Sequence, residues 1–189
     1  TNQNALIVTP KSLLYQWKTE YNEWYDNNII VIDGTISKRQ RLYTKINKST
    51  SVLISYDTLK RDVDTLEKYT KYFNVIVIDE AHRIKNHKSP QAKALFSLDY
   101  IPNRLALTGT PAPGKQHEIF SVLHWLYPQV FTGYWRFIDY YFTQYDEWTS
   151  AGAHKVIGPF KRGKAEELQE YLNVISTRRL RSSYSSSQC

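Results

Sequence analysis

Five short apolar runs punctuate the first 107 residues, at positions 5–8, 29–32, 52–54, 75–78 and 105–107, most of them rich in Val and Ile. Unbroken apolar runs of this length, without polar alternation, are the pattern of strands covered on both faces. Between them the spacing becomes helical. Leu13, Leu14, Trp17, Tyr21 and Trp24 form one apolar stripe, expected to pack in the core, and Thr9-Pro10 before it offers a cap and a first helical residue. Ser89-Pro90 repeats the device ahead of Ala92, Leu95 and Phe96. Strands alternating with helices predict an α/β fold with a parallel sheet.

Beyond Pro113 the character changes. Ile119, Val122, Leu123 and Leu126 continue a helical pattern, an aromatic-rich stretch covers 131–148, and 164–175 reads as a further amphipathic helix. No strand signal stands out here. The segment 154–163, with two glycines and a proline, reads as an exposed loop, and 182–189 carries five serines in eight residues, a composition that predicts no stable structure. The expected organisation is a sheet lobe over 1–114, a helical extension over 115–181 and a serine-rich tail over 182–189.

Length and composition then narrow the class. The 189 residues fit one domain, or one with an appendage, and 41% hydrophobic with 14% aromatic residues suffices for a sizeable core. Lysine and arginine exceed acids by 25 to 18, a net charge of +7 with pI near 9.3, which favours nucleic acid or another polyanion as partner. The single Cys189 excludes an internal disulfide framework and a cysteine zinc cluster, and fits a reducing, intracellular setting. No apolar run approaches the roughly 18 residues of a membrane span, and no signal-peptide pattern opens the chain. Its first strand starts almost at once, at Ala5, so the intact protein is expected to begin earlier.

The candidate chemistry lies in Val75-Ile76-Val77-Ile78-Asp79-Glu80-Ala81-His82. Two adjacent carboxylates leave the end of a buried strand, where open α/β sheets place their ligands. Magnesium prefers hard oxygen ligands and retains several waters, so Asp79 suffices to hold it beside a nucleotide phosphate. Glu80 can then orient or deprotonate an attacking water, and His82 can link the site to neighbouring segments. On these residues alone, an acidic pair that merely caps a strand end stays open. The nucleotide reading also meets a gap, because no Gly-x-x-x-x-Gly-Lys-Ser/Thr phosphate loop occurs anywhere, and Gly114-Lys115 has the wrong spacing and flanks. His117, His124 and His154 have no partners in the sequence that would make a metal site.

Four blocks resemble the Swi/Snf family of superfamily-two, DEAH-box-type motors. Ile7-Val8-Thr9-Pro10-Lys11-Ser12-Leu13-Leu14 with Trp17, Glu20 and Trp24 is similar to motif Ia, and Val52-Leu53-Ile54-Ser55-Tyr56-Asp57-Thr58-Leu59 to motif Ib. Asp79-Glu80-Ala81-His82 with the tail Arg83-Ile84-Lys85-Asn86 looks like the DEAH box, and Arg104-Leu105-Ala106-Leu107-Thr108-Gly109-Thr110-Pro111 like motif III. Arg178-Arg179-Leu180-Arg181 is similar to the basic segment leading toward a second motor lobe. The resemblance implies a RecA-like lobe of an ATP-dependent translocase on double-stranded DNA, using ATP and magnesium, in the cytoplasm or nucleoid of a bacterium or phage or in a eukaryotic nucleus. It implies Asp79 as magnesium ligand, Glu80 as catalytic carboxylate, and Thr108, Gly109 and Thr110 as the segment coupling nucleotide state to DNA grip. Thr9, Pro10, Lys11, Ser55 and Tyr56 would lie along a DNA strand, where hydroxyls, amides and lysines at helix starts suit phosphate contact without base readout. The family's phosphate-loop strand would precede Ala5 and its second lobe would follow Arg181, so these 189 residues by themselves are expected to be inactive. Ala112-Pro113-Gly114 departs from the Gln-Asn pair usual after motif III. An RNA or single-strand helicase of the wider DEAH group, and a non-enzymatic remnant that binds DNA or protein, are the competing readings.

Overall fold

A computed structural model describes residues 4–25, 28–109, 115–150 and 152–177. Strand β1 (Ala5–Thr9) leads through a 3-10 turn (Lys11–Leu13) into helix α1 (Leu14–Trp24). β2 (Asn28–Ile32), α2 (Ile36–Tyr43), β3 (Thr50–Ser55) and α3 (Tyr56–Leu66) follow. After a 3-10 segment (Glu67–Tyr72) come β4 (Val75–Ile78), a 3-10 turn (Ala81–Ile84), α4 (Pro90–Phe96) and β5 (Asn103–Ala106). A 3-10 turn (Gln116–Glu118) then opens α5 (Ile119–Leu126). The five strands form one all-parallel sheet in the order β2-β3-β1-β4-β5.

The five apolar runs are these five strands. Both sheet faces are covered, which is why the runs do not alternate. On one face Leu6, Val8, Val52, Ile54, Ile76 and Ile78 pack with residues of α2 to α5, including Tyr43, Leu59, Leu95 and Trp125. On the other, Ala5, Ile7, Ile29 and Leu53 meet Leu14 and Tyr21 of α1. Two details differ from the sequence expectation. Trp24 is 79% exposed, because the α1 stripe drifts off the sheet before the helix ends. Leu105 is 50% exposed, because β5 has a neighbour on one side only.

Local signals set the boundaries. Ser55 and Ser89 cap α3 and α4 through side-chain oxygens that accept from Thr58 N and Ala92 N, and Pro90 takes the first helical position. The Thr9-Pro10 expectation needs correction: Thr9 ends β1, and Pro10 precedes the 3-10 turn with no side-chain cap. The Thr9 hydroxyl goes elsewhere, as described below.

One buried ion pair fastens α2 to α3. Arg39 Nε donates to Asp62 Oδ2 at 2.6 Å and Nη2 to Oδ1 at 2.9 Å, while Tyr43 Oη donates to the same carboxylate at 3.1 Å. Arg39 Nη1 also reaches the Gly34 carbonyl at 2.7 Å, offered by a residue at φ 102° that a side chain would strain. The hydrogen bond to Asp62 raises the Arg39 pKa, and burial pushes the Tyr43 hydroxyl up, so the guanidinium stays charged and the phenol stays a donor.

A histidine-aromatic cluster lies behind the sheet. His87 stacks on Tyr134 at 4.4 Å and meets Phe120 edge-on, Phe120 stacks on His124, and the Tyr134 hydroxyl lies 3.0 Å from His117 Nδ1. Burial lowers the pKa of His87, aided by Lys88 and His124, and burial also lowers that of His117 against the opposing pull of Glu118. Both are then neutral in the folded state at pH values where the unfolded chain, titrating near 6.5, takes up protons. Stability from these groups is complete above about pH 6.5 and falls as pH drops through that value toward the lowered folded ones. The urea midpoint is expected to be lower at pH 5.5 than at pH 7.5, with a smaller difference in His87→Phe; equal differences in both proteins would contradict this.

The chain divides into two compact units, 1–134 and 135–189. The segment over 115–134 thus groups with the sheet rather than with the extension beginning at 115. The second unit contains most of α6 (Tyr134–Tyr141), a hairpin of β6 (Phe142–Thr149) and β7 (Gly152–Phe160), and α7 (Lys164–Ile175). The helices were expected; the hairpin was not, and its second strand takes up 154–160 of the expected loop over 154–163. Gly158 and Pro159 misled the reading. In a two-stranded ribbon each strand is an edge, so a proline is tolerated, and a Cβ at Gly158 would come within 2.5 Å of Thr143 Oγ1. Phe142 stacks on Phe160 at 4.3 Å to close the hairpin base. Residues 182–189 lie outside the described part.

Candidate functional site

The acidic pair sits at the carboxyl end of β4, between β1 and β5. Parallel ladders deliver it there: Val8 pairs with Ile78, and Asp79 N donates to the Val8 carbonyl at 2.8 Å. Three further side chains hold Asp79. Thr9 Oγ1 and Trp17 Nε1 donate to its Oδ2 at 3.2 and 2.8 Å, and Tyr56 Oη donates to its backbone carbonyl at 2.6 Å. Its Oδ1 accepts from the Glu80 amide at 2.8 Å. Burial, then the charge of Asp79, pushes the Tyr56 hydroxyl well above its ordinary range, so it remains a donor.

Glu80 has φ 51° and ψ 53°, the one non-glycine at positive φ among the described residues. A side chain in this left-handed region carries strain of about 1–3 kcal/mol, a cost that accumulates at functional sites. This turn re-aims the chain into the 3-10 turn, where His82 Nδ1 lies 3.1 Å from Glu80 Oε2. Arg83 lies over the Tyr56 ring at 6.0 Å. Leu107 N donates to Ile78 O at 2.8 Å and Ala81 N to Leu107 O at 2.9 Å, so Thr108 and Gly109 follow directly beside the pair. Thr110 lies outside the described residues. Lys85 pairs with Glu118 at 3.3 Å, tying the tail of the acidic segment to the turn before α5.

Of the five residues nominated for a DNA strand, Thr9, Pro10, Ser55 and Tyr56 are buried. Their hydroxyls serve internally: Thr9 and Tyr56 hold Asp79, and Ser55 caps α3. Lys11 alone extends its side chain to solvent, 71% exposed and 4.0 Å from Asp33. Sequence reasoning placed Trp17 in the core and missed its contact with Asp79. Its signal was chemical, since a half-buried indole N–H requires an acceptor.

The donor set fits a magnesium ion. An ionised carboxylate offers about four lone-pair directions, and Asp79 accepts three hydrogen bonds, which leaves one for a cation or its water. A cavity of about 300 Å³ lined by Leu13, Gln16, Trp17, Glu20 and Asp79 opens beside it. One or two carboxylates with retained waters and substrate phosphates are the usual magnesium arrangement.

Comparison with known proteins places the chain in a family. The family model of the SNF2-related domain matches residues 1–186. The chain is 32% identical to the "Probable ATP-dependent DNA helicase CHR23" of Arabidopsis thaliana, covering 88% of this chain and 17% of that protein. It is 35% identical to the "ISWI chromatin-remodeling complex ATPase ISW2" of Saccharomyces cerevisiae, covering 91% and 16%. The chain thus spans about a sixth of the length of these curated relatives. The Sulfolobus solfataricus SWI2/SNF2 ATPase core, solved in complex with dsDNA, superposes with a TM-score of 0.64 at 28% identity over 74% of this chain and 28% of that one. The five-stranded parallel sheet with its helices accordingly has the RecA-like fold of a lobe of that core, and the chain belongs to the SNF2-related domain family.

Proposed function

We propose that the chain is the bulk of the first motor lobe of an ATP-dependent translocase on double-stranded DNA. Asp79 holds the magnesium that accompanies ATP, Glu80 orients and deprotonates the attacking water, and His82, whose Nδ1 lies 3.1 Å from Glu80 Oε2, links the site to neighbouring segments. Bound magnesium neutralises charge on the phosphates. Thr108 and Gly109, with Thr110, register the nucleotide state beside the pair. The observation that carries the reading is that both segments nominated for DNA, 9–11 and 55–56, hydrogen bond to Asp79, through Thr9 Oγ1 and Tyr56 Oη. A shift in 9–11 on DNA reaches the Asp79 carboxylate within one hydrogen bond, and a shift in 55–56 reaches the Asp79 backbone carbonyl.

DNA contact falls to Lys11 and to backbone amides near the starts of α1 and α3, which bind phosphate without reading bases. Lys11→Ala is expected to weaken duplex binding evenly across sequences and to reduce the slope of log K against log salt by about 1. An unchanged slope would remove Lys11 from the interface.

The function is tested in the full-length protein by comparing ATP turnover with duplex DNA and with single-stranded RNA. Stimulation by duplex DNA supports the reading; stimulation by RNA alone favours the wider DEAH group; no turnover at all favours a binding remnant. The 189 residues alone, lacking a phosphate loop in their sequence, are expected to release no phosphate above background.

A further inference from the structure

We infer that Trp17 is a positioning residue for the metal-binding carboxylate, an inference that rests on the reading of Asp79 as magnesium ligand. Three donors fix the Asp79 carboxylate, and they come from different parts of the chain: Trp17 from α1, Thr9 from the end of β1, and the Glu80 amide from the adjacent peptide. The Trp17 bond at 2.8 Å is shorter than the Thr9 bond at 3.2 Å, and both end on Oδ2. With Oδ2 drawn toward α1 and Oδ1 toward Glu80, the carboxylate plane has one setting. The remaining lone-pair direction then has one setting too.

The Trp17 ring packs against the edge of the core cluster that holds Leu14 and Tyr21, but packing of the ring does not require its N–H to meet a carboxylate. Trp17 is half-buried and also lines the cavity with Asp79, Gln16 and Glu20. An indole N–H is a donor only and cannot compete with the carboxylate for a cation. It therefore orients the ligand without adding charge or a rival metal-binding atom. The 3-10 turn that leads into α1 begins at Lys11, so a displacement of this turn and helix on DNA would turn the carboxylate as well as move Thr9.

The test uses the 189-residue chain, labelled with ¹⁵N, and manganese as the probe ion. Trp17→Phe retains the ring in its slot and identifies the Trp17 indole signal by its loss. If Trp17 positions the carboxylate, Asp79→Asn moves that indole signal while leaving the other four tryptophans in place. Trp17→Phe likewise moves the Glu80 amide signal and weakens manganese binding about 3–10-fold, the effect of one hydrogen bond of about 1 kcal/mol, at a melting temperature close to that of the parent. A merely structural role would alter melting and leave the Glu80 amide and metal affinity together. The inference is overturned if Asp79→Asn leaves the Trp17 indole unmoved, or if Trp17→Phe leaves the Glu80 amide unmoved. Should manganese broaden no signal near Asp79 in the parent chain, the metal-site reading fails, and the indole and amide shifts still decide whether Trp17 positions the carboxylate.

Discussion

Arg39→Ala is expected to destabilise the chain by about 3–5 kcal/mol, because it leaves an unpaired carboxylate in the protein interior. Arg39 and Asp62 are each 8% exposed at the side chain, and Asp62 has no other cation to turn to in this network. Tyr43 would still donate to Asp62, yet one neutral donor does not replace a bidentate guanidinium. The loss also frees the Gly34 carbonyl, so the β2–α2 connection loosens along with the α2–α3 contact. Urea denaturation measures the effect. The triple replacement Arg39→Met, Tyr43→Phe and Asp62→Leu should recover most of it, since it removes the Tyr43 donor together with its acceptor and apolar side chains of similar volume often substitute for a buried pair without loss. A single-variant cost below about 1 kcal/mol would mean that water enters the pair freely.

The first unit was largely legible in the sequence because its strands are covered on both sides. Runs such as 52–54 and 75–78 admit few other structures once helical patterns separate them. What the sequence left out depends on pairing across distance. The partners Arg39 and Asp62 are 23 positions apart, and Trp17 and Asp79 are 62 apart, so neither contact has any local periodicity. The hairpin was hidden for another reason. Phe142, Tyr145 and Trp148 recur every third residue, which mimics a helix, and Gly158 and Pro159 argue against a strand unless it is an edge. At the site, the acidic pair was legible as a motif. The burial of Thr9 and Tyr56 was not, because a hydroxyl suited to phosphate is equally suited to a carboxylate or a carbonyl.

The second large effect concerns Glu80. Glutamine preserves its size and its polar reach toward His82 but cannot accept a proton from water. General-base contributions run to about 10²–10⁴-fold in rate. Asp79 would be unaltered, because its carboxylate is held by Thr9, Trp17 and a backbone amide, none of which uses the Glu80 side chain. Nucleotide affinity should therefore persist while turnover fails, and the KM for ATP should change little. The measurement is phosphate release by full-length protein and its Glu80→Gln variant at saturating ATP and duplex DNA. If Asp79 and Glu80 form the hydrolytic half of a DNA-driven motor, kcat falls by at least about 100-fold with ATP binding intact. A variant that turns over ATP within about twofold of the parent, a difference of only about 0.4 kcal/mol in the barrier, would contradict that assignment.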